Sequence, residues 1–443
     1  MAGSSASPSP GGVTRRTLLA GTAAALAASA TGCDSSTSPD TTGKASDGAR
    51  PPVVSGRKPQ GKDVIDVAAD CGAKGDGRTD DSRAFARAYS YAAGRVWDHV
   101  GRTVIEVPAG TYLIRAPHAL LDAPAGGLKA NGLRFRGAGK RMTQLLFTPS
   151  RAEGAYLCRN EDSWANVSFE QMAFASGTPG ASFFYSYSTG QAQDYRFTAC
   201  EWTGEWTYGL ALDGSNTNSE MRWDACRVGG AYRKAFLYSG LSQKSPSPQQ
   251  QDQFVNYWFN DMKVEYSWGN FLEFPYGGSL ACRGGSYIIT GRRPTASGEY
   301  GRTSTFFRFP RGPHHDSVQR FHAEDIRFEV RHPDTLVIYC AWDGGTVHFN
   351  DCDDTALAFK PFAADTVPHR YQIGARGPLV RYDSCQLSGR HRYEPDGDGR
   401  GGATGGAPAH RARYDMCLLR HHSPPDFLDG GSDRVTFTDC LGP

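Results

Sequence analysis

The stretch YRFTACEWTG, residues 195–204, is followed 26 residues later by MRWDACRVGG, residues 221–230. Both stretches alternate apolar or aromatic residues with polar ones, and both carry a cysteine in the same slot, at Cys200 and Cys226. Alternation with a period of two is typical of a β-strand and not of a helix. A pattern that returns along a chain indicates one structural unit that is repeated.

The same cadence recurs over most of the chain. Small or adaptable apolar residues occupy its Cys slot: Ala138, Met172, Cys200, Cys226, Met262, Ile326, Cys352, Cys385, Cys417 and Cys440. Short aromatic and aliphatic runs, bounded by Gly, Pro and Asn, usually follow about ten residues later, and such runs indicate strands. Each repeat therefore contains two or three short strands that are separated by corners.

A coil of stacked parallel strands accounts for this pattern best. Helical solenoids would show an apolar period of 3.6, and propellers would show tight hairpins. In a stacked coil, one slot of successive repeats falls on a single line, with neighbouring coils about 4.8 Å apart. Cysteine and methionine suit an inward slot of this kind, and Asn and Asp suit the corner before it. The sequence therefore predicts an all-β, single-stranded parallel β-helix.

The first 33 residues are typical of an export signal. Arg15 and Arg16 precede the apolar run LLAGTAAALAASA, which is too short and too rich in alanine for a transmembrane helix. This arrangement predicts twin-arginine export. The run ends in ATGC, so Cys33 follows a glycine as in a bacterial lipobox. We expect Cys33 to be lipidated; cleavage of the signal without a lipid is the alternative.

A tether and a folded domain follow the signal. Residues 34–62 contain mainly Ser, Thr, Pro and Gly with almost no large apolar side chains, which predicts a disordered linker. The predicted β-helix domain is 63–443. The protein is expected outside the cell, attached to the membrane only through the lipid. Its formal net charge of +2 gives no basic field suited to nucleic acid.

The start of the predicted domain carries a family resemblance. The segments GAKGDGRTDDSRAFARA at 72–88, TVIEVPAGTYLI at 103–114 and LRFRGAGKRMTQLLF at 133–147 are its main parts. Over residues 63–148 the sequence resembles the pectate-lyase superfamily, and most closely its rhamnogalacturonase/epimerase-like domain. The resemblance implies a right-handed parallel β-helix, and a protein that acts on or binds a polysaccharide, especially a polymer of uronic acids.

An amphipathic segment lies within the first part of this signature. Phe85, Ala88 and Ala92 recur at helical spacing after Asp80 and Asp81. Acidic residues at the start of a helix are favourable because they face its exposed N–H groups. We predict a capping helix over the first coil, and turn or helix-start roles for these aspartates in preference to a cation site.

The catalytic motifs of polygalacturonase-type hydrolases are not intact. The segment GSNTNSE contains Asn216 and Thr217, but Asn218 stands where such enzymes have aspartate. Asp353 and Asp354 lie after the Cys slot of their repeat, where we expect corner residues. A standard pectin hydrolase is therefore not predicted.

A different group of candidates emerges from aligning the second cadence. Glu273 and Arg308 fall on one line with mostly apolar and aromatic residues, which are Tyr185, Leu212, Tyr238, Ile338 and Phe359. Nearby in sequence are Asp213, Tyr276, His314, His315 and Asp316. Aromatic rings beside a few charged groups are typical of a sugar-binding groove. The individual histidines are expected to be surface or loop residues.

Three functions remain open for this line. A lyase needs a base and a positive charge, which Arg308 and a histidine could supply, with calcium as a candidate cofactor. A hydrolase needs two carboxyl groups, for which Glu273 and Asp213 are the candidates. The third is a carbohydrate-binding or adhesive protein without catalysis, in which Glu273 and Arg308 form a structural ion pair.

Ten cysteines remain beyond Cys33. An even number in an exported protein is compatible with disulfides. Twin-arginine export carries folded proteins, however, so these thiols would be buried before they meet an oxidising environment, and we expect mostly free cysteines. No close pairing of cysteine and histidine of the zinc type is present, so no metal site is predicted.

Overall fold

The computed structural model describes most of the chain after the tether. The described ranges are 60–214, 217–241, 254–295, 298–312, 318–354, 361–373, 377–395, 411–430 and 435–443. The predicted signal, Cys33 and nearly all of the tether lie outside them, as do His314, His315 and Asp316. No helix within the described ranges is long and apolar enough to cross a membrane.

The described chain consists of short strands with one α-helix, α1 Ser82–Gly94, and one 3-10 turn at Gly298–Tyr300. In chain order the strands are β1 Val64–Asp66, β2 Asp76–Asp80, β3 Val104–Val107, β4 Gly110–Ile114, β5 Leu121–Ala123, β6 Ala130–Gly137, β7 Thr143–Phe147, β8 Tyr156–Glu161, β9 Trp164–Glu170, β10 Ala173–Ser188, β11 Tyr195–Thr198, β12 Glu201–Gly214, β13 Met221–Asp224, β14 Arg227–Val228, β15 Ala231–Ser239, β16 Tyr257–Tyr266, β17 Asn270–Glu273, β18 Gly278–Ile289, β19 Ser304–Phe309, β20 Gln319–Glu324, β21 Arg327–Val330, β22 Thr335–Cys340, β23 Thr346–Asn350, β24 His369–Gln372, β25 Leu379–Asp383, β26 Gln386–Leu387, β27 His391–Glu394, β28 Ala412–Asp415, β29 Leu418–Leu419 and β30 Val435–Thr438.

These strands form three parallel faces, and each coil contributes to the faces in turn. Sheet A stacks β1, β3, β6, β9, β11, β13, the start of β16, the start of β18, β20, β23, β25, β28 and β30. Sheet B stacks β2, β4, β7, the starts of β10 and β12, β14, the ends of β16 and β18, and β21, and β26 pairs with β29 on the same face. Sheet C stacks β5, β8, the ends of β10 and β12, β15, β17, β19, β22, β24 and β27. This arrangement is a parallel β-helix, which confirms the predicted fold class.

The cysteine slot forms a continuous interior ladder after sheet A. Residues that follow the slot donate a backbone hydrogen bond to the slot carbonyl of the preceding coil, as Arg227 does to Cys200 and Gln386 does to Cys352. The residue before the slot has a left-handed backbone, for example φ 50° at Ala199 and φ 49° at Asp351. This bend turns the chain from sheet A towards sheet B. The predicted column is therefore present from Met172 onwards, but the prediction was wrong for Ala138, which is exposed and lies outside the column.

The described cysteines agree with this interior position. All ten are free thiols, and all but the half-buried Cys440 are fully buried. Cys282 lies one column away from the ladder, because it pairs with Phe259 inside sheet A, whereas Gly285 pairs with the ladder residue Met262. Burial raises the pKa of Cys158 well above its ordinary value, so the thiol is neutral and unreactive.

A column of stacked rings fills the lumen behind sheet A. Phe169 and Phe197 stack with centroids 5.5 Å apart, and Trp223 continues the stack 5.3 Å from Phe197. The column resumes in the last coils, where Tyr382 and Tyr414 stack 4.8 Å apart. Their spacing matches the distance between parallel strands, so each ring covers the ring of the coil before it. This column accounts for much of the aromatic content.

Helix α1 packs against the first coils and contacts β3 and β5. Its buried side includes Phe85, Ala88 and Ala92. The hydroxyl of Tyr89, on the same helix, accepts a hydrogen bond of 3.1 Å from the indole Nε1 of Trp164.

Candidate functional site

Sheet C presents one outward row of side chains that contains the predicted candidates. In register from coil to coil, the row is Asp122, Arg159, Tyr185, Ala211, Tyr238, Glu273, Arg308, Tyr339, Arg370 and Arg392. The sequence alignment was wrong by one residue at Leu212 and Ile338, because the row is occupied by Ala211, which pairs with Tyr185, and by Tyr339, which pairs with Arg308. A shift of one residue moves a side chain to the other face of a strand. Phe359 lies outside the described residues.

Glu273 is buried at the centre of this row, and every neighbour that contacts its carboxylate donates a hydrogen bond. The Tyr300 hydroxyl lies 2.9 Å from Oε1 and 3.0 Å from Oε2. Asn270 Nδ2 donates to Oε2 at 2.8 Å, and Arg308 Nε donates to Oε1 at 3.4 Å. Burial raises the pKa of Glu273, although Arg308, Asn270 and Tyr300 act to lower it. Its side chain is only 2% exposed.

Arg308 is held between two carboxylates and two rings. Besides Glu273, it donates to Glu299 Oε1 at 2.5 Å. Its guanidinium lies 4.9 Å from the centre of the Tyr300 ring and 5.2 Å from that of Tyr339. Burial alone would lower the pKa of Arg308, but Glu273 and Glu299 outweigh burial and raise it. Arg308 therefore remains charged and cannot serve as a base.

Asp213 is a second buried carboxylate of sheet C. It lies near the end of β12, next to Gly214, and is 3% exposed. Its Oδ2 accepts a hydrogen bond of 3.2 Å from the Tyr185 hydroxyl, and its Oδ1 accepts one of 2.9 Å from the Gly214 amide. The side-chain amide of Asn218, from the imperfect hydrolase motif, donates to the Asp213 carbonyl. The structure thus joins Asp213 to Tyr185, as it joins Glu273 to Arg308.

Half-buried tyrosines surround these two carboxylates. We call Tyr156, Tyr185, Tyr208 and Tyr238 the tyrosine surface. The rings of Tyr156 and Tyr185 lie 5.4 Å apart, and those of Tyr208 and Tyr238 lie 5.6 Å apart. Tyr276 is also half-buried and near enough to act electrostatically on Tyr238. Burial raises the pKa of Tyr208 to about 12 and that of the other three further still, so their hydroxyls are donors and not bases.

Sequence reasoning missed several of these residues. Tyr300 comes from the 3-10 turn, which lies outside the repeated cadence, so its contact with Glu273 carries no periodic signal. Asn270 opens the run NFLEF of the second cadence, and Tyr208 lies just before the run GLALD, so neither of them stands in the slot that the alignment compares. His314 and His315 lie outside the described residues.

Two expectations about polar residues were wrong. Asp354 is not an exposed corner residue: it is 2% exposed, and His369 Nε2 lies 3.3 Å from its Oδ2. His369 and His391 are not surface residues either, because both are buried in the lumen behind sheet C. The apolar cadence predicts an apolar interior, and it cannot show where polar side chains replace apolar ones.

The comparisons with known proteins agree with the resemblance found at the N-terminal end of the domain. Residues 64–219 match the family described as rhamnogalacturonase A/epimerase, pectate lyase-like. No curated protein sequence matches the chain significantly. The resemblance to the pectate-lyase superfamily is thereby confirmed.

Several solved structures are similar. ORF18 of Geobacillus virus E2 is 13% identical with a TM-score of 0.42, and the match covers 86% of this chain and 62% of that one. The mannuronan C-5 epimerase AlgE6 A-module of Azotobacter vinelandii is 12% identical with a TM-score of 0.42, with coverages of 85% and 99%. The catalytic unit of a GH87 alpha-1,3-glucanase from Streptomyces thermodiastaticus is 13% identical with a TM-score of 0.43, with coverages of 88% and 70%. The chain spans about three fifths of the length of the first of these, at 62%.

Proposed function

We propose that this pectate-lyase-like β-helix binds an acidic polysaccharide along the outer face of sheet C and cleaves it there. The observation that carries the proposal is the outward row itself. The first half of the row contains Tyr185, Tyr238 and the buried carboxyl group of Glu273. Its second half contains Arg308 and Arg370. Rings, a carboxyl group and cations therefore follow one another along a single line.

The geometry of the row suits an extended polymer. Tyr185 and Arg370 are six coils apart in register, which corresponds to about 29 Å at the spacing of parallel strands. Tyrosine rings offer apolar faces to sugar rings, while their hydroxyls bond to polar groups. A chain that lies along the helix axis could thus contact the tyrosine surface and the arginines at the same time.

The arginines support a preference for an acidic polymer. Arg370 makes no ion pair with a carboxylate of the described residues, and its Nε donates to the Val367 carbonyl at 3.3 Å. Burial, and after it the neighbouring Arg392, lower the pKa of Arg370, although Glu394 and Asp429 act to raise it. A uronate carboxylate bound here would relieve that repulsion.

Cleavage by hydrolysis has more support than elimination. A general acid needs a pKa that is raised towards neutrality, and burial raises the pKa of Glu273. Our candidate for the second carboxyl group that hydrolysis requires is Asp213, whose strand lies two coils before that of Glu273. In a lyase, Arg308 could stabilise negative charge but could not remove the proton, because Glu273 and Glu299 keep it charged.

A second candidate function is binding without catalysis. It is favoured by the closed surroundings of Glu273, since the Tyr300 hydroxyl contacts both carboxylate oxygens. Proton donation to a glycosidic oxygen requires that hydroxyl to leave. If Tyr300 stays in place, Glu273 and Arg308 act only as a structural ion pair below a sugar-binding surface.

The test is incubation with a panel of polyuronides and neutral glucans, with and without calcium. New reducing ends without ultraviolet absorbance support hydrolysis, and Glu273→Gln should abolish them while binding persists. Unsaturated products that absorb in the ultraviolet would mean elimination, and a requirement for calcium would identify it as the cofactor. Retention on the polymer with neither product supports the binding function. Absence of binding to every polymer would overturn the proposal.

We also propose that the protein works outside the cell, exported through the twin-arginine route and anchored by a lipid on Cys33. The support is the sequence of the first 33 residues alone. Replacement of Arg15 and Arg16 by lysine should retain the protein in the cytoplasm. Cys33→Ala should release it from the membrane fraction, whereas an unchanged distribution of that variant would mean that the signal is cleaved without lipidation.

A further inference from the structure

A cluster of polar side chains lies inside the last coils, away from the outward row. Asp354, His369, His391 and Ser388 are each at most 2% exposed, in a lumen that is otherwise filled by apolar and aromatic side chains. Asp354 follows the ladder residue Cys352, while His369 and His391 begin β24 and β27. Burial of such groups is unfavourable unless each of them has a partner.

The two imidazoles lie in register on adjacent coils. Their rings stack with centroids 4.0 Å apart and an interplanar angle of 19°. One nitrogen atom of each ring faces a tyrosine: Nδ1 of His369 is 2.8 Å from the Tyr382 hydroxyl, and Nδ1 of His391 is 2.7 Å from that of Tyr414. These contacts hold the two rings in the stack, and Nε2 of His369 faces Asp354 Oδ2 at 3.3 Å.

Partners are missing at the point where these groups converge. Nε2 of His391, Oδ1 of Asp354 and Oγ of Ser388 have no hydrogen-bond partner among the described residues. Ser388 comes two residues after Gln386, whose carbonyl accepts a hydrogen bond from the Asp354 backbone amide, so Ser388 lies near Asp354. Three buried polar atoms without partners indicate that something is bound between them.

We propose that Asp354, His369 and His391 bind one divalent transition-metal ion, with Zn²⁺ as the best match. One ligand atom from each residue lies within 4.8 Å of the other two. Bonds of about 2.0–2.1 Å in a tetrahedral site place ligand atoms about 3.3 Å apart. His369 Nε2 and Asp354 Oδ2 already have that separation, at 3.3 Å. His391 completes the set when its ring turns out of the stack on His369, because a metal ion lies in the plane of the imidazole that binds it.

The surroundings support a structural role for the ion. Histidine ligands of a metal usually bond through their other ring nitrogen to a fixed polar group, and the hydroxyls of Tyr382 and Tyr414 occupy that position. Tyr393 in turn bonds to Tyr414 at 2.6 Å. The ion would join two adjacent coils, and the buried Ser388 hydroxyl, which has no partner among the described residues, is the candidate for a fourth ligand.

No metal site was predicted from the sequence, because the prediction considered only zinc ligands that are close together in sequence. The ligands stand at positions 354, 369 and 391, on two adjacent coils, and no pair of them has the short spacing of a zinc motif. The competing interpretation is a trapped water molecule, which would also satisfy the three atoms without partners.

The experiment measures the metal content of the purified full chain by mass spectrometry. We expect about one Zn²⁺ per chain, resistant to chelator while the protein is folded and released on unfolding. His391→Gln and Asp354→Asn should lose it. The control is His348→Gln, because His322 and His348 form a partly exposed pair with Nδ1 atoms 3.2 Å apart, which could bind metal at the surface.

A second measurement does not depend on loss-of-ligand variants. The protein is refolded with Co²⁺, which gives intense visible bands in a tetrahedral site. His391→Cys should retain the ion and add a thiolate-to-cobalt band in the near ultraviolet. Absence of metal from the wild type after refolding with Zn²⁺ or Co²⁺ would overturn the proposal in favour of a trapped water. Loss of metal in His348→Gln, but not in His391→Gln, would overturn it in favour of the surface pair.

Discussion

Glu273 and Arg308 lie in register on adjacent coils of sheet C, with Arg308 Nε 3.4 Å from Glu273 Oε1. The pair is nearly closed off from solvent, because the two side chains are 2% and 13% exposed. Taking charges out of water is unfavourable even when they are paired. The presence of this buried pair below the tyrosine surface therefore calls for a functional explanation.

The pH dependence of stability should reveal the raised pKa of Glu273. Because burial raises that pKa above its ordinary value of 4.5, the folded protein holds the proton more tightly than the unfolded chain does. The stabilisation is complete below that value and is lost as the pH rises through the folded pKa. Glu273→Gln stays neutral, so the unfolding free energy of the wild type relative to this variant should fall as the pH rises above the ordinary value of 4.5. Urea unfolding of both proteins measures this difference in unfolding free energy. An increase of the difference with pH would mean that Arg308 lowers the pKa of Glu273 below its ordinary value.

Arg308→Ala should destabilise the fold strongly at neutral pH. It leaves Glu273 buried without its cation, which costs about 3 kcal/mol of unfolding free energy. Adding Glu273→Gln to this variant should restore most of the loss, since the buried charge is then removed. The control is Arg222→Ala, which breaks a surface pair with Asp224 at 2.9 Å and should cost less than about 1 kcal/mol. Equal losses in the two single variants would contradict the buried-pair interpretation.

The column of stacked rings predicts the positions at which a substitution lowers the unfolding free energy most. Phe197 stacks between Phe169 and Trp223, so Phe197→Ala should lower the unfolding free energy by about 3–5 kcal/mol through loss of contacts and creation of a cavity. Arg196→Ala, one residue earlier on the exposed side of β11, should change it by less than about 0.5 kcal/mol. Chemical denaturation of both variants checks this, and similar values would place the core elsewhere.

Arg370→Ala should weaken the binding of an acidic polymer more than that of a neutral one. Its guanidinium stands in the outward row without a carboxylate partner among the described residues, so it can pair with a uronate group. We expect roughly fivefold weaker binding of polygalacturonate and a smaller dependence on salt. Arg381→Ala on sheet A, where Asp383 pairs with the arginine, is the control. A loss of the same size for neutral glucan would show that Arg370 acts through packing alone.

The fold could be predicted because one physical requirement recurs in every coil. An interior slot needs an apolar side chain that stacks on its copies, and this repeats the cadence around residues such as Cys200, Cys226 and Cys385 in the sequence. The register of sheet C was harder to predict, because its strands are apolar on both faces. In GLALD, the outward Ala211 does not differ in polarity from the inward Leu210 and Leu212, so the alignment slipped by one residue.

The polar interior could not be predicted, for a related reason. Asp354, His369 and His391 take places in a lumen where the repeat specifies apolar residues, and they meet only when coils stack. The contact between Tyr300 and Glu273 likewise joins an irregular turn to a regular strand. Neither arrangement leaves a periodic trace in the sequence.

The measurement that tests the central claim most directly is the affinity of a polyuronide for the wild type and for the double variant Tyr185→Ala/Tyr238→Ala, determined by affinity electrophoresis. Loss of two rings from the tyrosine surface should weaken binding by on the order of tenfold or more, with the fold intact by circular dichroism. Tyr91→Ala on helix α1, which removes a tyrosine distant in sequence from sheet C, should leave the affinity unchanged. Undiminished binding by the double variant would contradict the assignment of the sugar-binding surface to sheet C.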